Sequence, residues 1–180
     1  MRTFAAGMAG LVLVLSSTIH AVTVLPATLE ELVQESVTVV HGRVTGVDAH
    51  WTADRRTIES TVTLDVTDTL KGAVTETASF VVPGGEAGGR ILVMPGAPVF
   101  RPGDDVIVFL RGRAPALPQP VGLSLGVFRV AVDARGVAQV VPSAISTAGA
   151  RGTVARGAAT REVRSLDAFR ADVRKAGARR

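Results

Sequence analysis

The sequence predicts a mainly β chain, a small antiparallel barrel carrying one short helix at its start and another at its end. Three observations predict it. The stretch "TIESTVTLDVTDTL" alternates apolar and polar residues with strict period 2, the pattern of a strand with one wet face. Clusters of glycine and proline separate the other apolar runs at turn-like spacing. No strand–helix–strand alternation occurs, so a parallel sheet is not indicated.

The elements follow in order. "MRTFAAGMAGLVLVLSSTIHA" joins a basic Arg2 to an apolar run over residues 5–15, then Ser16, Ser17 and Thr18 before a small Ala21. This reads as a secretory signal peptide cleaved after Ala21. The run is too short for the ~20 apolar residues that span a bilayer, which disfavours an uncleaved anchor, and no transmembrane segment is expected in the mature chain. "ATLEELVQES" opens it with a short helix. Thr28 is its N-cap, Glu31 completes a capping box, and Leu29, Leu32 and Val33 form its apolar stripe.

"VVHGRVTGVDAHW" is the first strand, with Val40, Gly42, Val44 and Gly46 on one face and His41, Arg43 and Thr45 on the other. Two glycines on one face predict a strongly bent strand or a close backbone approach. In the second strand, Ile58, Val62, Leu64, Val66 and Leu70 share a face with Ser60 and Asp68. Its opposite, threonine-rich face is the wet side, with an edge for peptide strand addition as a second reading. "TASFVV" is the third strand and "DDVIVFL" the fourth, apolar on both faces and therefore central. "VGLSLGVFRVAV" is the fifth, and its change of apolar phase predicts a bulge near Gly126. "DARG" turns into "VAQVVP", which pairs back. "SLDAFRADVRKA" ends the chain as an amphipathic helix capped by Ser165, with Leu166, Phe169 and Val173 on one side.

This pattern fits an OB-like, five-stranded Greek-key barrel, with a β-sandwich as the alternative. The implied organisation is a signal peptide over 1–21, a barrel over 22–142, a flexible linker over 143–164 and a basic helix over 165–180.

"VVPGGEAGGRILVMPGAPVFRPGDD" holds six glycines and four prolines between two apolar runs. A phosphate loop would need G-x-x-x-x-G-K-[ST] ahead of a helix. Here "RILVM" follows "GGEAGGR" and reads as a short strand. The stretch is expected to be a long loop or β-arm, and loops of this length often carry function. Glu86, Arg90 and Met94 are its candidate partner contacts.

The remaining chemistry is sparse. With no cysteine, disulfides, thiolate metal sites and a thiol nucleophile are excluded. His41 and His50 fall on opposite strand faces without H-E-x-x-H or a carboxylate cluster, and are expected to be solvated. Asp104 and Asp105 are adjacent and point apart, as turn residues do, and Asp65 and Asp68 also face opposite ways. No G-x-S-x-G is present. No catalytic, cofactor-binding or metal-ligating residue is assigned, and the chain is not expected to be an enzyme.

The net charge of +4 divides unevenly. Residues 22–150 carry 10 basic and 13 acidic side chains, and residues 151–180 carry 9 basic and 3 acidic. An acidic barrel without tyrosine and with one tryptophan does not match nucleic-acid binding by stacked aromatics on a basic sheet. The basic tail matches contact with an anionic surface.

"TLEELVQESVTVVHGRVTGVDAHW", "VTLDVTDTLKG", "FRPGDDVIVFLRG" and "LSLGVFRV" together resemble an exported bacterial domain related to the OB-like barrel of tissue inhibitors of metalloproteinases and netrin modules. The resemblance covers about residues 27–132 and rests on turn and core signatures. It implies a periplasmic or extracellular binding module for another protein, with a protease among the candidates. Inhibitors of that family bind the catalytic zinc through an N-terminal cysteine, which this chain lacks, so no functional residue carries over. The alternative is a structural envelope protein retained by its basic tail.

Overall fold

The computed structural model describes residues 27–74, 76–144 and 162–178. The signal peptide and most of the expected linker lie outside the described residues. Among the described residues, no helix is long and apolar enough to cross a membrane.

Helix α1 (Leu29–Glu35) begins at the capping box the sequence announces. Thr28 Oγ1 accepts from the Glu31 amide at 3.2 Å, and Glu31 Oε2 accepts from the Thr28 amide at 2.7 Å. Those bonds from Thr28, the backbone one foremost, hold the Glu31 carboxyl below its usual value. Two long strands follow, β1 (Thr38–Trp51) and β2 (Ile58–Lys71), paired antiparallel. The register between them shifts at Val39/Val40, His41/Gly42 and Val44/Gly46. Each shift adds local twist, and together they bend the hairpin. Gly42 is the close approach expected of it: a Cβ there would sit 2.3 Å from the Asp65 carbonyl oxygen. The last shift also changes the phase of β1. Val47 and Ala49, rather than Gly46, stand opposite Val62 and Ser60.

β3 (Thr77–Pro83) pairs with β2, which makes β2 an interior strand. The notion of β2 as an edge for strand addition is corrected over Glu59–Asp65, where β1 and β3 occupy both of its edges. β4 (Gly85–Ala87) and β5 (Arg90–Leu92) form a separate two-stranded arm. β6 (Asp105–Arg111) lies between β1 on one side and β7 (Gln119–Pro120) and β8 (Val127–Val132) on the other. A 3-10 turn at Leu123–Gly126 precedes β8 and accounts for the change of apolar phase, in place of a bulge. β9 (Ala138–Pro142) pairs with β8 across a turn in which Asp133 accepts from the amides of Arg135 and Val137. β10 (Arg164–Ser165) pairs with β9 and leads into α2 (Leu166–Gly177), capped by Ser165.

The molecule is thus mainly β, with two helices and an antiparallel sheet ordered β10-β9-β8-β6-β1-β2-β3 and β7 beside β6. The sheet contains eight strands rather than five and forms no closed barrel among the described residues. At the gap, the Val81 amide donates to the Pro118 carbonyl at 2.9 Å.

β6 explains the layering. Val106, Val108 and Leu110 enter a core with Val40, Val44, Val62, Leu64, Phe80 and Val82, enclosed by the curled sheet. Ile107 and Phe109 enter a second core on the opposite face, with Leu32, Val33, Val39, Phe128, Phe169 and Val173. The second core places α2 against α1 and the sheet. Phe128 and Phe169 have ring centroids 4.8 Å apart, with Phe109 beside both. Lys71 Nζ also ties β2 to α1 by donating to the carbonyls of Val33 and Ser36.

Candidate docking cleft

The glycine- and proline-rich stretch is a β-arm with a return. Gly88 and Gly89 both have positive φ, 59° and 71°, which makes the two-residue turn that matches hairpin twist. At the base, the Gly84 amide donates to the Ile58 carbonyl at 2.9 Å and Ser60 Oγ donates to the Gly84 carbonyl at 2.8 Å. Gly85 lies so close to the β1–β2 hairpin that a Cβ would meet Ser60 Oγ at 2.5 Å and the Ala49 methyl at 2.7 Å. The return is tied down as well. Phe100 is buried edge-on against Phe80, with centroids 5.3 Å apart. Ser124 bonds the Gly96 carbonyl through its amide and its hydroxyl, and Arg129 donates to the Val99 carbonyl at 2.6 Å.

Between the arm, its return and the end of the β1–β2 hairpin lies a cleft of about 560 Å³. Val82 and Phe100 form part of its lining and belong to the first core, so the cleft opens onto the end of that core. Its rim is unusually apolar. Of ten exposed large apolar side chains among the described residues, five line this one cleft: Val47, Ile91, Val93, Met94 and Val99. Single exposed apolar residues are ordinary, whereas a cluster of them marks an interaction surface.

Two of the three residues singled out from the sequence line the cleft, Glu86 and Met94. Arg90 belongs to the arm, paired with Ala87 beside the turn, and is outside the lining. Sequence reasoning missed Val47 and Asp48, contributed by β1. Their arrival depends on the shift at Val44/Gly46, which no local pattern announced. The two acidic residues of the lining, Asp48 and Glu86, have no ion-pair partner among the described residues.

A second constellation involves His41. Far from being solvated, it is 4% exposed. Its Nε2 lies 2.7 Å from Asp105 Oδ1 and its Nδ1 lies 2.8 Å from Arg170 Nη2. Arginine only donates, so Nδ1 accepts and Nε2 carries the proton that goes to Asp105. Arg170 Nε is 3.4 Å from Asp68, which also accepts two bonds from Arg174 at 2.8 and 3.1 Å. Both imidazole nitrogens are committed, leaving none to take a proton from a substrate. The cluster works as a latch between α2 and the strands β1, β2 and β6. Among the described residues, no group of three His, Cys, Asp or Glu side chains is placed to hold a metal.

The adjacent acids also have structural partners. Asp104 accepts from the Arg101 amide at 2.8 Å and pairs with Arg129 at 2.7 Å, while Asp105 turns to His41. Comparison with known proteins finds no matching family model, no matching curated protein and no matching solved structure.

Proposed function

We propose that this chain is an exported, non-enzymatic binding module on an OB-like barrel, docking another envelope or extracellular protein through the cleft beside the β4–β5 arm. A protease is one candidate partner class. The observation that carries the reading is the convergence on that cleft of half of the large apolar side chains exposed among the described residues. The OB-like assignment draws support from two long bent strands, β1 and β2, and from β1 pairing with both β2 and β6. The non-enzymatic assignment draws support from His41, whose two nitrogens are spent on Asp105 and Arg170.

Affinity capture from envelope and secreted fractions of the host tests it. One enriched protein is expected, lost with Ile91→Asp and retained with Leu117→Asp, a control at an exposed apolar residue outside the cleft. Equal recovery with both variants would reject the cleft as the docking surface. The envelope-retention reading rests on the positive charge of residues 151–180. It is the weaker one, because Arg164, Arg170 and Arg174 are already paired with Asp172 and Asp68.

A further inference from the structure

We infer that the occupant of the cleft is an extended segment of a partner polypeptide, added as a strand along the free edge of β5, with a Lys or Arg set against Glu86 and Asp48. This rests on the docking role proposed for the cleft and specifies what it holds.

The backbone makes the first argument. β5 pairs only with β4, so its other edge carries no strand among the described residues. In a two-residue hairpin the residues flanking the turn, Ala87 and Arg90, form a hydrogen-bonded pair. The next pair, Glu86 and Ile91, is then non-hydrogen-bonded, and the peptide groups of Ile91 point to the free edge. Ile91, Leu92, Val93 and Met94 all line the cleft, so a strand laid along this edge lies over it.

The side chains make the second. Exposed edges are ordinarily blunted by charge, proline or cover. β5 is three residues long and starts with the charged Arg90, but its middle residue, Ile91, is apolar and 70% exposed, and the chain continues uncharged through Leu92, Val93 and Met94. Such an edge is a liability in an isolated domain and an asset in one that receives a strand. Glu86 stands directly opposite Ile91, and side chains of an opposed pair share one face of the arm. A strand that fills the apolar cleft therefore passes a carboxylate without an ion-pair partner among the described residues, and a second at Asp48. Burying these beside an apolar segment favours a cationic residue in that segment.

The test uses random twelve-residue peptides displayed on phage, selected on the purified exported chain. Expected winners alternate apolar residues and carry Lys or Arg. Glu86→Lys should weaken the best synthetic peptide about tenfold, the scale of losing one interfacial charge contact. N-methylation of one alternate set of its amides should abolish binding, and methylation of the other set should not, because only one set faces β5. Several results would overturn the inference. Peptides that tolerate both methylation sets yet are lost with Ile91→Asp leave the cleft as the docking surface but remove the added strand. Peptides indifferent to Ile91→Asp reject the cleft as well. Failure to enrich any peptide rejects the extended segment, and the capture experiment then stands alone for the docking role. Sedimentation showing a dimer that Ile91→Asp dissociates assigns the edge to a second copy.

Discussion

Gly42 shows what one residue decides. β1 and β2 approach so closely there that a Cβ would lie 2.3 Å from the Asp65 carbonyl oxygen, a backbone atom that cannot step aside alone. Gly42→Ala should lower stability by about 2 kcal/mol, within the usual cost of overpacking, and urea unfolding measures it. A loss below about 0.5 kcal/mol, the size of an ordinary surface change, would mean the strands separate easily. That close approach is legible in the sequence, because glycine weakens a strand and two on one face point to a bend or a near neighbour. The role of His41 is not legible there. Its phase, opposite to Val40 and Val44, is plain from the alternation, but its cover comes from Arg170, 129 positions away. His41→Ala leaves Asp105 and Arg170 without their shared partner, and should cost about 2 kcal/mol for polar groups left unsatisfied. His41→Gln, which offers an acceptor and a donor, should recover part of it. Equal losses for the two variants would mean that packing, not hydrogen bonding, makes the latch.

Elements differ in how openly their sequences declare them. The capping box of α1 and the period-2 face of β2 from Ile58 to Val66 are local patterns and appear in the structure as written. Beyond Val66 the register shifts turn Asp68 toward His41 and α2 and carry Leu70 into the second core, off the face the alternation assigns them. The turn at Leu123–Gly126 is not local in the same sense. A bulge and a 3-10 turn shift apolar phase alike, and only the fit against β6 and β7 selects between them. The N-terminus of α1 titrates with a definite sign. Glu31 is held below its usual value by Thr28, so its contribution is full above the unfolded carboxylate value and fades as pH falls through the lower folded one. Glu31→Gln should lower the melting temperature at neutral pH, and by less once Glu31 is protonated, because the charge that strengthens its bond to the Thr28 amide is then already lost. Thermal unfolding of both proteins at neutral and acid pH checks this, and a constant difference would exclude the Glu31 charge as the source. α2 carries a larger stake. Its basic composition alone points to a solvated tail, but Phe169 and Val173 are buried in the core that also holds Phe109 and Phe128. Phe169→Ala should cost about 3–4 kcal/mol, as deletion of a buried ring does. A cost under about 1 kcal/mol would mean the helix detaches without consequence.

For the whole molecule, charge and cover must be weighed together. The sequence divides into an acidic body and a basic end, which by itself favours electrostatic retention on an anionic surface. Folding alters that balance by returning the helix to the body, where Asp68 takes up Arg170 and Arg174, while Arg164 pairs within the basic segment with Asp172. Opposite charges that meet within the molecule neutralise one another at distances beyond the screening length. Apolar cover behaves in the opposite way, since the cleft gathers Ile91, Val93, Met94, Val99 and Val47 onto one side. Salt separates the two modes of attachment. Raising it from about 0.1 M to about 1 M shortens the screening length from about 10 Å to about 3 Å, which weakens contacts between exposed charges but leaves apolar burial intact. Partner capture through the cleft should therefore survive high salt with only a modest loss from Glu86 and Asp48. It should fall at both ionic strengths with Val93→Asp. Retention by the C-terminal cations would instead collapse at high salt and ignore Val93→Asp, and that pattern in co-sedimentation with envelope fractions would move the interaction surface from the arm to the tail.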